Sequence, residues 1–386
     1  MDTKILVGTR KGSFCVEKAD GTWRPRLAGH LGQGVNFLCR EPASGTWWAA
    51  LGHGHWGAKL SRSKDEGHTW QDAPQIKYPE GAKYLAPPMP DESGDAPGPV
   101  ITRPATLLKL WMIAFGAPGQ IHVGTIPGGL FSSHDGGESF SLNRPLWNHE
   151  SRGGDLFSGT GTGKTDWFGT PAADGEFAPG IHSIVVDPRD PKRILVAVST
   201  AGVLETTDGG QTWRGKNRGL LNDYLPNPAA EWGHDPHYVE QSLGQPEHLW
   251  QQNHAGVFYS SNGGEQWARV SQPENGVHFG FPIAVDAKDG RTAWVVPGKA
   301  DSERTTVGGG LFVARTTDGG QHWQPLRKGL PQEHAYDVVY RHALSNHGDF
   351  LAFGSTTGNL YVSEDRGDSW QSVAHNLPPI YSVRFG

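Results

Sequence analysis

Six times along the chain the same short turn returns: "SKDEGHTW" at 63–70, "SHDGGESF" at 133–140, "TTDGGQTW" at 206–213, "SNGGEQW" preceded by Ser260, "TTDGGQHW" at 316–323 and "SEDRGDSW" at 363–370. The shared pattern is Ser/Thr-x-Asp-x-Gly-x-x-Trp, and each part has a physical task. The carboxylate accepts backbone N–H bonds inside its own turn, glycine takes a positive φ that other residues resist, and the aromatic leaves the turn to pack under the next strand. Asn262 in the fourth copy and Phe140 in the second keep the hydrogen-bonding capacity and the aromatic bulk. A turn repeated in this way marks stacked units of one supersecondary structure.

The unit is clearest at 182–215, where "HSIVVDP", "RILVAVST", "GVLETTDGG" and "TWRG" follow one another. These are four short strands joined by turns, the antiparallel sheet of a propeller blade. A seventh, degenerate unit opens the chain with "KILVGT", "GSFCVEK" and "DGTWRPRL", only three strands. Its missing innermost strand is expected in "IYSVRFG" at 380–386, which pairs beside the first blade and closes the ring, removing the exposed edges of an open array. The expected fold is all-β, a single seven-bladed β-propeller domain over 1–386. Its blades are placed at about 1–28 with 380–386, 29–75, 100–145, 180–216, 235–272, 278–328 and 334–375, with long crossings at 71–105 and 141–181.

Composition agrees: 386 residues carry 54 glycines, 28 prolines and 15 tryptophans but 3 methionines, a balance that favours β-structure over helix. A net charge of −6 without a basic run argues against nucleic acid, which needs clustered Lys and Arg, and against an acidic membrane surface. No apolar stretch approaches the roughly 18 residues that span a bilayer. The N-terminus "MDTKILVGTRKG" has no secretory signal pattern, and Cys15 and Cys39 make no disulfide framework, so a cytoplasmic protein is the expectation.

The six turns resemble the Asp-box, or BNR, repeat of sialidase-like β-propellers, and the whole chain is similar to the bacterial BNR-repeat proteins grouped as glycosyl hydrolases. That resemblance implies Asp-box hairpins on one face of the ring and an active site on the other. It speaks to fold rather than reaction, since propellers host many unrelated functions.

With the repeated turns on the bottom, the top face is built from second-to-third-strand turns and from the crossings between blades. Top turns carry Arg10 and Lys11; His53, His55 and Trp56 in "LGHGHWGAKL"; Asn253 and His254; and Lys299 and Arg304. Top crossings, entering the innermost strands, carry His30, His149, His182, His234, Asp235, His237, His278 and His334. His68, His134 and His322 fall in the bottom turns. Most of the 18 histidines thus map to one face, several where the blades converge on the channel. Neutral imidazoles with a carboxylate suit zinc, copper, iron or nickel, so a divalent transition metal is the expected cofactor, with His53, His55, His182, His237, His254 and His278 as candidate ligands. "GHDPH" at 233–237 is the densest crossing. His234, Asp235 and Arg10 are the candidate catalytic groups, and Trp56, Arg304 and Asn253 the candidate substrate contacts.

"SGTGTGKT" at 158–165 approaches a phosphate-binding loop, but Ser158 replaces its first glycine and "DWFGTPAADGEF" is no helix, so no nucleotide cofactor is expected. Together with 71–105, this Gly-rich crossing is read as a lid or wall over the top face or as a homo-oligomer contact. A sialidase mechanism needs three carboxylate-clamping arginines, and Arg10 and Arg304 do not complete that set. The sequence therefore points to a hydrolase or lyase with a histidine-rich metal pocket acting on a small polar or carbohydrate-like substrate. A carboxylate-based glycoside hydrolase, drawing on Glu80, Asp155, Glu231, Asp235 or Glu240, and a non-catalytic scaffold binding a protein or peptide are the alternatives.

Overall fold

The computed structural model describes residues 3–53, 57–86, 101–167, 178–223, 225 and 227–386, the side chains of 53, 86 and 101 excepted. Seven four-stranded antiparallel sheets form the blades of a β-propeller. The innermost strands are Ile380–Phe385, Gly34–Arg40, Lys109–Phe115, Ile181–Asp187, Pro236–Gln241, Gly280–Val285 and Leu344–His347, for blades one to seven. Each packs against the innermost strands of both neighbouring blades, so the ring is continuous. Sequences such as "GFPIAV" are buried along their whole length, as strands covered on both faces must be. Outside blade one, whose outermost strand Thr22–Gly29 has eight residues, the outermost strands are short, two residues in Arg214–Gly215 and in Ala268–Arg269, which limits the open edge those blades present.

Closure comes from the two ends of the described chain. Lys4–Thr9 pairs with Ile380–Phe385 in antiparallel register, Ile5 opposite Phe385 and Gly8 opposite Ser382. A Cβ on Gly8 would lie 2.5 Å from Ser382 Oγ and 2.8 Å from the Val35 carbonyl, so the closing contact requires glycine there. Ser382 Oγ in turn accepts the Leu38 N–H at 3.1 Å, tying the closing strand to blade two.

The six repeated turns share one hydrogen-bond pattern. In the third, Thr206 Oγ1 donates to Asp208 Oδ1 at 2.7 Å and accepts the Gly210 N–H at 2.9 Å, while Asp208 Oδ1 accepts the Thr212 N–H at 3.0 Å. Gly210 sits at φ 93°, where its missing Cβ matters. The aromatic does something the sequence reading did not anticipate. It reaches back to the preceding blade rather than under the next strand: the indole N–H groups of Trp70, Trp267 and Trp323 donate to the carbonyls of Ala28, Lys216 and Val270 at 2.6, 2.8 and 2.9 Å. The repeated turn is therefore a stitch between blades.

The two long crossings pack together over the top of blade three. Tyr78 reaches Thr125 Oγ1 at 2.6 Å, and the buried guanidinium of Arg152 lies 3.7 Å from the Trp147 ring centre and 4.8 Å from that of Trp167. A small sheet of Lys83–Ala86 and Ile101–Pro104 lies within the first crossing. Among the described residues no helix is long and apolar enough to cross a membrane.

Trp267 tests the stitch. Trp267→Ala removes a fully buried ring, 1% exposed, and is expected to destabilise by about 3–5 kcal/mol. Trp267→Phe, which keeps one aromatic ring but loses the indole N–H and leaves a smaller cavity, should cost less, about 1–3 kcal/mol. Urea unfolding of the two variants checks this, and a Phe variant as stable as wild type would contradict the stitch.

Candidate functional site

The crossing into blade five is fastened before it reaches the channel. Gly233 N–H bonds the Ala201 carbonyl at 3.1 Å, and the buried His234 ring puts Nε2 2.7 Å from the Ala230 carbonyl. Pro236 opens the innermost strand directly after Asp235. Asp235 Oδ1 accepts the Thr200 N–H at 3.1 Å, and its backbone carbonyl accepts the His254 N–H at 2.9 Å. Its other oxygen, Oδ2, faces His237 Nε2 at 3.4 Å and His254 Nδ1 at 3.8 Å. One ligand atom from each of the three residues lies within 4.8 Å of the others.

His237 is held in one tautomer. Its Nδ1 is 2.5 Å from the Gly280 carbonyl, a contact that only Nδ1–H can make, and its ring stacks on Phe281 at 4.7 Å. In the neutral ring the Nε2 lone pair then faces Asp235 and His254, the arrangement usual for metal-binding imidazoles. Tetrahedral coordination with bonds near 2.0–2.1 Å sets ligand atoms about 3.3 Å apart; the two separations from Asp235 are 3.4 and 3.8 Å, and all three atoms lie within 4.8 Å of one another.

The surroundings favour the carboxylate form of Asp235 and the neutral form of His254. Burial alone would raise the Asp235 carboxyl, but the hydrogen bond and charge of His237 when its ring is protonated, with the charge of Arg341, outweigh it and hold Asp235 below the usual carboxylate range. Burial, reinforced by His237, lowers His254 and favours neutral imidazole.

Below and beside the cluster, charged groups bridge the channel. Arg341, from the entry into blade seven, donates Nε–H to the His237 carbonyl at 2.9 Å and lies over Trp111 of blade three at 4.8 Å and Phe281 of blade six at 5.6 Å. Arg384, on the closing strand, donates to Tyr238 Oη of blade five at 2.8 Å. His342 Nε2 bonds the His182 carbonyl at 2.7 Å, from blade seven to blade four. Burial pushes the Glu240 carboxyl, on the same strand as His237, up to about 7 despite the opposing field of Arg384.

Of the residues singled out in the sequence, the structure gathers Asp235, His237 and His254, with Arg304 nearby, its guanidinium 5.5 Å from the Phe281 ring centre and bonded to Asp301. His182 lies in the inner wall, edge-on to Trp111 at 5.2 Å, its Nε2 buried without a hydrogen-bond partner among the described residues. His234 is turned away toward Ala230. Asn253 is buried and occupied, its amide donating to Gln251 Oε1 and accepting the Ala255 N–H. His278 packs beside Gly256 in the field of Arg269 and Asp223. Arg10 is exposed on the blade-one turn near Tyr381. His55, Trp56 and the His53 side chain lie outside the described residues. Sequence reasoning missed Arg341 and could not orient His342. Both stand in "YRHALS", at the same place before an innermost strand as "HDPHYV", and that register is the signal that would have found them.

The fold and this mouth define a seven-bladed propeller with a buried Asp–His–His cluster at the inner end of one crossing. No family model matches the chain, and no curated protein matches it. Solved structures do. An ancestral GH74 enzyme aligns with 95% of this chain at 17% identity and a TM-score of 0.55, this chain spanning 40% of that one. A putative 6-phosphogluconolactonase from Bacteroides uniformis aligns over 100% of this chain and 99% of its own at 12% identity, TM-score 0.56. YCF48 from Cyanidioschyzon merolae aligns over 94% and 88% at 15% identity, TM-score 0.52. At these identities the likeness is one of fold, and the neighbours include hydrolases.

Glu240 gives a pH test of the channel. A carboxyl raised from 4.5 to about 7 is destabilising when ionised, a penalty absent below pH 4.5 that grows to full size above about 7. The stability of Glu240→Gln relative to wild type should therefore rise between those limits in urea titrations. A flat or falling difference would contradict the burial of this group.

Proposed function

We propose that the protein is a metal-dependent hydrolase acting on a small polar, carbohydrate-like substrate at the top of the channel, with Asp235, His237 and His254 as the metal ligands. The observation that carries this reading is the His237 tautomer: Nδ1 is committed to the Gly280 carbonyl, leaving Nε2 to face Asp235 Oδ2 at 3.4 Å. A lone His–Asp ion pair has no need of His254, whose half-buried ring brings a third ligand atom to the same point. Two imidazoles and one carboxylate leave a coordination position open, as catalytic sites require and structural zinc sites do not.

A divalent transition metal held there would polarise a substrate oxygen and lower the pKa of a coordinated water toward about 7. The protein's own groups do the rest. Thr200 N–H and the Gly280 carbonyl orient the ligands, Phe279 and Phe281 close the inner side of the His237 ring, and Asp235 remains ionised. The GH74 enzyme and the putative lactonase among the structural neighbours support hydrolysis as the reaction class. The resemblance to sialidase-like propellers adds a carbohydrate-like substrate to the reading, and a cytoplasmic setting is part of the same proposal.

Elemental analysis of protein produced without a histidine tag tests the site. The expected result is about one equivalent of a transition metal, reduced below about a tenth by Asp235→Ala or His237→Ala and unchanged by His278→Ala. A wild-type protein that stays below a tenth after reconstitution would remove the metal and favour the carboxylate-based or scaffold alternatives.

A further inference from the structure

Arg341 is held between blades. Its side chain comes from blade seven, is fastened by Nε to blade five, and lies against aromatic rings of blades three and six, so four blades meet on one guanidinium. Burial pulls its pKa down to about 10, and it remains a cation at neutral pH. Two more cations share its rings. Lys109 lies over Trp111 at 5.2 Å and Arg304 over Phe281 at 5.5 Å.

Among the described residues, the acidic groups beside Arg304, Lys299 and Arg341 are already engaged. Arg304 is bonded by Asp301, and Lys299 by Glu303, both on the neighbouring blade-six turn. The acidic group whose field acts on Arg341 is Asp235, and Asp235 already faces two imidazoles. The Arg341 nitrogens beyond Nε have no hydrogen-bond partner among the described residues, although a guanidinium carries five N–H donors in a fixed fork. Such a fork, pre-oriented by its Nε bond and by two ring faces, matches two oxygens of one anion. Beyond it Phe281, Tyr340 and Tyr381 form an aromatic row, with ring centres 5.8 and 6.4 Å apart, that suits the flat face of a sugar or ring.

We propose that Arg341 is the anion-binding group of the mouth, holding a carboxylate or phosphoryl oxyanion of the substrate beside the Asp235, His237 and His254 cluster. This rests on the reading of the mouth as a substrate site but not on the metal. It narrows the substrate class from small polar molecules to anionic ones.

Calorimetric titration of chelator-treated, dialysed protein with inorganic phosphate and, separately, with gluconate tests the proposal, with glucose as the neutral control. At least one anion is expected to bind, and whichever binds more tightly identifies the oxyanion. Arg341→Gln should weaken that binding by about ten- to a hundredfold, and Arg341→Lys, which keeps the charge but not the fork, by less. Glucose should show no such loss. Metal content of the Arg341 variants, measured alongside, should stay at the wild-type value, so failure of anion binding and failure of the metal site are separately visible. Should Arg341→Gln not fold, Arg341→Lys carries the comparison. Wild-type protein that binds neither anion, or variants that bind as tightly as wild type, would overturn the proposal.

Discussion

The antiparallel pairing of residues 4–9 with 380–385 is the contact on which the rest of the structure depends. A row of blades can splay at its ends, whereas a closed ring cannot. Once Gly8 and Ser382 are opposed and Ser382 is bonded to Leu38, blades one and two are locked, and the seven innermost strands must converge on one axis. The repeated turns act at the outer radius. Each tryptophan that bonds the preceding blade fixes the angle between neighbours, and the ring collects those angles into closure.

Convergence explains why groups distant in sequence share the channel. Arg341 reaches His237 across 104 residues, and Arg384 reaches Tyr238 across 146. Backbone groups make most of the anchoring bonds: Gly280 and Ala230 carbonyls orient the two histidines of "GHDPH", and Thr200 N–H holds Asp235. Such anchors survive changes in side chains elsewhere, and for His237 and Asp235 they leave the remaining ligand atoms facing the cluster. Aromatic rings then set the local dielectric, excluding water on the inner side of His237 and supporting the cations above Trp111 and Phe281.

The architecture was legible because it is periodic. A turn copied six times, four strand-like runs per copy and an unpaired run at each end leave little room for another topology. The site was legible only where sequence neighbours are also spatial neighbours, as in Asp235 and His237, or where the blade register carried over, as for His254. His234 and Asn253 were named for the right crossing and turn, yet local backbone hydrogen bonds turn their polar atoms inward, and no pattern in the sequence distinguishes that orientation. Arg341 was missed because the segment before it, "AYDVVY", forms no regular strand, so its place at the entry to blade seven had no alternation to mark it. The aromatic of the repeated turn was assigned to the wrong neighbour for a related reason: periodicity shows that a ring is buried but not which adjacent blade receives it.

X-ray absorption at the edge of the bound metal measures the central claim most directly, since it reads ligand identity and distance at the metal itself. The prediction is a first shell of nitrogen and oxygen at about 2.0–2.2 Å with outer-shell scattering from two imidazoles, reduced to one imidazole in His254→Ala. A shell of oxygens alone, a sulfur contribution, or a spectrum unchanged by His254→Ala would contradict a site built from Asp235, His237 and His254.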